Sequence, residues 1–249
     1  MQRYFVLNNQ IRGNHIYIFG DDYHHIKNVM RMSIHDKALF CNQEGIVYLG
    51  SLESITKNEV VFTILEQLDD NRELSIEVVI AHGLVKRPKQ EEVIRRLVEL
   101  GASKYIPVLM ERSIVKIEKS SDPKKERLER IVKEASEQCH RNRLLEITDI
   151  YSFEQLLKLR EQFDLALYAY EEKRNLKSFK DILRSFTGKN ILVLVGPEGG
   201  ISDREVKLLE DHNFLPIGLG PRILRTETAP LYIMSAISYE LELGENNES

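Results

Sequence analysis

Apolar positions recur along the chain at two spacings. Up to about residue 70 they alternate with polar ones in short runs, at 15–19, 38–41, 46–49 and 59–64, the period of strands buried on one face. Between the first two runs, Ile26, Val29 and Met30 fall on one side of a short helix over 21–31. A small β-barrel capped or plugged by that helix is expected. After the polar stretch 69–73 the pattern changes to continuous apolar runs at 76–81, 105–109, 165–169, 191–195 and 215–218, each followed by a helical segment. Strands that are apolar on both faces, alternating with helices, predict an α/β fold around a mostly parallel sheet. The boundary falls between an N-terminal domain, 1–72, and a C-terminal domain, 73–249.

Helix signals fix several of these segments. Pro88 stands at the first position of a helix over 88–100, with Glu91 and Glu92 in its first turn and Gly101 as its stop. Asp122-Pro123 opens a long helix whose core stripe is Leu128, Ile131, Val132, Ala135 and Cys139, with Glu134, Gln138 and Arg141 on the opposite face. Ser152 with Gln155, and Ser202 with Glu205, have the spacing of capping boxes. A helix follows near 179–186, and the last helix has core positions Leu231, Met234, Ile237 and Leu241. Only 245–249 reads as a polar tail.

With 249 residues, 42% hydrophobic and 30% charged, wholesale disorder, collagen-like repeats and a disulfide scaffold are excluded. Cys41 and Cys139 suit a reducing compartment, and neither has a zinc-ligand spacing. His24-His25 lacks acidic or Cys partners at ligand spacing, so no metal is expected. No apolar run nears the roughly 20 residues of a membrane span, and 1–4 open no signal peptide, so a cytoplasmic protein without a membrane partner is expected. Net charge is −4, but residues 85–143 hold 16 Lys/Arg against 10 Asp/Glu, a net +6 that leaves −10 elsewhere. That stretch, with Lys86, Arg87, Lys89, Arg95, Arg96, Arg112 and Arg141, would draw a polyanion.

Two loops carry the candidate chemistry. Gly196-Pro197-Glu198-Gly199-Gly200 leaves an apolar strand for the helix entered at Ser202, and Leu219 to Ala229 leaves the next strand for the last helix. Ligands of open α/β sheets bind at the carboxyl ends of strands, and glycines let main-chain N–H and C=O groups approach them. Neither a Gly-Lys-Ser/Thr nor a G-x-G-x-x-G follows, so a nucleoside-triphosphatase or dinucleotide site is unlikely on these residues. Two such loops on successive strands should lie side by side.

These loops, with Arg3-Tyr4-Phe5, 24–32, Lys86 through Glu99-Leu100-Gly101, Glu111-Arg112-Ser113, Glu134-Ala135, Glu137-Gln138 and Arg141, give the chain a close resemblance to the bacterial 16S rRNA uridine N3-methyltransferases of the SPOUT superfamily. It departs from them at Leu145, usually Pro, and Leu128, commonly Trp. The resemblance implies an N-terminal PUA-like β-barrel for RNA and a C-terminal SPOUT α/β domain with a deep trefoil knot. It further implies S-adenosylmethionine as methyl donor, a homodimer, and 16S rRNA or the assembled small ribosomal subunit as partner, with uridine 1498 in standard numbering as target. The donor would be held by Tyr170, Leu194, Gly196, Gly200, Leu219, Gly220, Leu224 and Thr226. Uracil N3 is protonated at neutral pH, so Arg225 is expected to stabilise negative charge on the uracil oxygens, with Glu198 or Glu227 orienting it or taking the proton. RNA would be gripped by Arg3, Arg31, Lys86, Lys89, Arg112 and Arg141. The alternatives are a SPOUT enzyme acting on another RNA and a noncatalytic RNA-binding assembly factor.

Overall fold

The computed structural model of the chain describes residues 1–115, 122–170 and 178–243, and at 122–124 the backbone alone. The polar tail at 245–249 and the side chains of Asp122 and Pro123 lie outside the described residues. The chain forms two compact units, Met1–Glu73 with Lys133–Leu144, and Leu74–Val132 with Leu145–Ser249.

In the first unit β1 (Arg3–Phe5), β2 (Ile11–Arg12), β3 (His15–Ile18), β4 (Lys37–Cys41), β5 (Val47–Ile55) and β6 (Val60–Leu68) make one sheet in the order β1-β4-β5-β6-β3-β2. Only the β1–β4 pairing is parallel. Two register shifts along β5, at Leu49/Gly50 and Leu52/Ser54, bend and twist the long hairpin, and the sheet curls over a core of Tyr4, Ile16, Ile18, Phe40, Leu52 and Phe62. Helix α1 (Gly20–His24) runs on into a wide turn, His25–Val29, which sets Ile26 into that core. The strand β1 carried no alternation that sequence reading recognised, because three residues are too few to show a period.

The second unit is built on a parallel sheet: β7 (Glu77–Gly83), β8 (Lys104–Leu109), β9 (Glu146–Ile147), β10 (Tyr151–Ser152), β11 (Leu165–Ala169), β12 (Asn190–Val195) and β13 (Leu215–Ile217), in the order β10-β8-β7-β12-β11-β13, with β9 also on β8. Every pairing is parallel. The apolar strands are covered by α2 (Arg87–Glu99), α3 (Asp122–Cys139), α4 (Phe153–Lys158), α5 (Phe179–Arg184), α6 (Asp203–Asp211) and α7 (Ala229–Leu241). Both capping boxes form: Ser152 Oγ accepts from the Gln155 N–H and Ser202 Oγ from the Glu205 N–H. α7 packs against α2 and α5. No helix among the described residues is long and apolar enough to cross a membrane.

The end of α3 belongs to the first unit and corrects one sequence expectation. The helix stops at Cys139 because His140 takes a left-handed conformation, φ 63°. Arg141 is therefore not on the helix face shared by Glu134 and Gln138, which are exposed.

Candidate functional site

A cavity of about 610 Å³ opens at the carboxyl ends of β11, β12 and β13. Its wall is made by Ala169 and Tyr170 at the end of β11, by Val195 to Ile201 at the end of β12, and by Gly218 to Gly220 and Arg222 to Glu227 after β13. The two loops do not follow neighbouring strands, since β11 lies between β12 and β13. They meet because residues 218–228 run back from the sheet edge across β11, where the Tyr170 N–H donates to the Ile217 carbonyl at 3.0 Å, to reach β12.

The meeting is fastened by hydrogen bonds. Thr226 Oγ1 donates to the Gly196 carbonyl at 2.7 Å, so this hydroxyl must accept from His82 Nε2 at 2.8 Å. His82 is then the Nε2–H tautomer, and its Nδ1 accepts from the Tyr105 hydroxyl at 3.1 Å. The ring is fully buried on β7, and burial pushes its pKa down to about 4, so it is neutral at physiological pH. A relay of neutral donors and acceptors thus ties β8, β7 and both loops. Sequence reading missed His82 because a single histidine inside an apolar strand has no spacing partner.

Two glycines permit the close fit. A Cβ on Gly83 would stand 2.4 Å from the Pro197 ring, so only glycine lets the first loop press on the end of β7. Gly200 has φ 73°, a left-handed turn that few side-chain-bearing residues accept, and its N–H donates to the Pro197 carbonyl at 2.9 Å. The loop then enters α6 through Ser202 and Glu205. The Glu205 carboxylate also accepts from the Glu111 N–H at 2.8 Å, pinning the turn after β8 to it.

Charge at the cavity is arranged around Lys89. Its Nζ stands 3.3 Å from Glu198 Oε1 and 3.1 Å from Glu227 Oε2. Burial pushes the Glu227 carboxyl up, but its own N–H, Lys89 and Arg225 outweigh this and hold it below the usual carboxylate range. Glu227 is an anion at neutral pH. Arg225 is exposed on the same wall, and no carboxylate among the described residues forms an ion pair with its guanidinium. Glu198 and Glu227, expected to orient Arg225 or take the proton, both stand beside Lys89. Arg112 reaches the rim, with Nη1 at 3.4 Å from the carbonyls of Gly199 and Ile201.

Of the expected donor-holding residues, Tyr170, Gly196, Gly200, Leu219, Gly220, Leu224 and Thr226 line the cavity. Leu194 does not: its side chain lies in the core with Val79, Ala166 and Leu192 because it faces the other side of β12. The expected RNA-gripping set scatters. Arg31 and Lys86 are exposed. Arg3 is 0% exposed, donating to the carbonyls of His140 and Arg141 and to Asp70. Arg141, 4% exposed, pairs with Glu73, which also accepts the Asn142 N–H at 2.8 Å. Guanidiniums so enclosed have no face for a phosphate, so Arg3 and Arg141 are framework. Arg87 and Arg96 pair with Glu91 and Glu99. Among the described residues no group of three or more His, Cys, Asp or Glu is placed to hold a metal ion.

Comparison with known proteins gives the same picture. Residues 72–238 match the family described as RNA methyltransferase domain, and 19–65 match the RNA methyltransferase PUA domain. The chain is 43% identical to ribosomal RNA small subunit methyltransferase E of Bacillus subtilis (strain 168), covering 98% of each chain. A crystal structure described as that of a hypothetical protein is also 43% identical, with a TM-score of 0.87, covering 97% of this chain and 99% of the other. A Legionella pneumophila protein described as a methyltransferase and solved with the cofactor SAM bound is 29% identical, with a TM-score of 0.83, covering 95% of this chain and 96% of the other.

Proposed function

The chain belongs to the RNA methyltransferase family, and from that premise we propose that it moves a methyl group from S-adenosylmethionine to N3 of one uridine in the 16S rRNA of the small ribosomal subunit, uridine 1498 in standard numbering. The observation that carries the reading is the cavity itself. Two loops that cross at the sheet's carboxyl edge wall it, and on it stands an arginine that pairs with no carboxylate among the described residues.

The residues present fit such a donor. The volume is that of a small-molecule site, and Tyr170, Leu219 and Leu224 offer apolar walls for an adenosine, while the glycine loops bring main-chain groups within its reach. When bound, the donor supplies an electrophilic methyl on a sulfonium. Arg225 receives the uracil oxygens as the N3 proton passes to Glu198, Glu227 or solvent water, and the freed N3 electron pair takes the methyl while the sulfonium leaves as a neutral thioether, which makes charge stabilisation the chain's main contribution. Glu227, held below the usual range, is a weak proton acceptor, and its place beside Lys89 suits an electrostatic role. A base inside a helix cannot present N3, so the uridine enters unpaired or flipped. Of the cations expected to grip RNA, Arg31, Lys86 and Arg112 are exposed, and each would take a phosphate. Tyr232 and Tyr239, exposed on α7, support reading the protein as a homodimer, and the return of 218–228 across β11 supports reading the chain as a trefoil knot.

The test offers the purified protein, with labelled donor, to small subunits from a strain lacking it. One methyl at a uridine N3, seen as a reverse-transcription stop and located by mass spectrometry, is the expected result. RNA binding without calorimetric donor binding would instead indicate the noncatalytic assembly factor, and methyl found on another nucleotide would overturn the target.

A further inference from the structure

We infer that Lys89 is a positioning residue, a single cation on α2 that holds the two cavity loops together by bridging Glu198 of one and Glu227 of the other. The inference rests on the methyltransferase reading only for what the cavity binds. The geometry stands alone: three charges come from three separate elements, each carboxylate oxygen within 3.3 Å of one ammonium, at the wall of the cavity.

Two ties therefore link the loops. One is the buried neutral relay of His82, Thr226 and Gly196. The other is charged and partly open to water, with Lys89 about one-third exposed and the two carboxylates less so. The Glu227 carboxylate beside it, the strongest influence, and that of Glu198 raise the lysine against the downward pull of burial, so the ammonium persists at neutral pH. Lys89 and Arg225 balance Glu198 and Glu227. Removing Lys89 leaves two carboxylates facing each other, with Arg112, Arg222 and Arg225 on the same cavity and neutral His82 buried behind it, so the loops repel wherever both are ionised, and one of the two takes up a proton more readily.

The same geometry opposes a role for Lys89 in gripping RNA. A phosphate approaching it meets two carboxylates already in place, and like charges at that range cancel the attraction of the lysine.

Lys89→Met and Lys89→Arg separate the roles, with loop protection in the donor-free protein as a readout independent of activity. In Lys89→Met, the amides of 196–201 and 225–229 should exchange faster than wild type at pH 8 after correction for intrinsic rates. Affinity for S-adenosylmethionine should fall about tenfold at pH 8 and recover several-fold at pH 6 as one carboxyl is protonated. The wild type should show no such recovery, and Lys89→Arg should restore its behaviour. The double variant Lys89→Met/Glu227→Gln, which removes the facing charge, should lose the pH dependence. Unchanged loop exchange and a flat donor affinity in Lys89→Met overturn the inference, as does a loss confined to the salt dependence of RNA binding. Failure of the wild type to bind donor would sink the methyltransferase reading instead, while the exchange comparison still decides whether Lys89 ties the loops.

Discussion

Two arginines, Arg3 in the first unit and Arg225 in the second, look alike in a list of basic residues and have opposite fates. Arg3 is fully buried and donates to two carbonyls and to Asp70. Arg72 and Arg3 also bond the Asp70 carboxyl, and although burial works against this, together they hold it below the usual range. Arg225 faces solvent at a cavity with no carboxylate partner among the described residues. The first is enclosed, with both terminal nitrogens bonded within the chain, so removing it harms the fold.

The largest expected effect lies on the enclosed side. Arg3→Met strands two carbonyls and leaves the Asp70 carboxylate to Arg72, and should lower unfolding free energy by about 3 kcal/mol, read by denaturant titration. A shift under half a kilocalorie would mean that Arg3 is as dispensable as a surface residue. On the open side, Arg225→Ala should leave the unfolding midpoint within experimental error and lower turnover about a hundredfold, measured against donor affinity on the same protein. Loss of donor binding in step with turnover would reassign Arg225 to holding the loop.

A smaller effect depends on pH. Burial pushes the Glu137 carboxyl up to about 7, against Lys133 and the Phe5 N–H, with Asp22 adding to the rise. A raised carboxyl contributes stability below its unfolded value near 4.5 and loses it as pH climbs through about 7. Glu137→Gln, which cannot ionise, should gain on the wild type across that window by on the order of 1 kcal/mol. A constant difference from pH 4.5 to 8 would show that Glu137 titrates normally. Smallest is the salt response: Arg31→Ala should reduce the logarithmic salt slope of RNA binding by about 1. An unchanged slope would move the RNA contact elsewhere.

Much of this was legible in residues alone. Buried strands next to helical segments announced the parallel sheet, and Ser202 with Glu205 marked the helix start that the first loop leads into. Seven of the eight positions expected to hold the donor line the cavity. What spacing could not show was direction: Leu194 is apolar like its neighbours, and only the sheet decides which face it takes. Charge was equally silent on pairing. The basic stretch 85–143 reads as a surface for polyanions, yet Arg87, Lys89, Arg96, Arg127 and Arg141 each meet a carboxylate distant or near in sequence. His82 and Thr226 are 144 residues apart, and no local pattern links them.

That separation has a consequence for how the protein is made. The cavity wall closes only when the segment beyond Ile217 folds back onto strands laid down long before it, a contact of very high sequence separation. A nascent chain that has emerged only as far as Ile217 can hold the sheet and yet have no pocket, so competence arrives with the segment 218–229 rather than with the bulk of the fold.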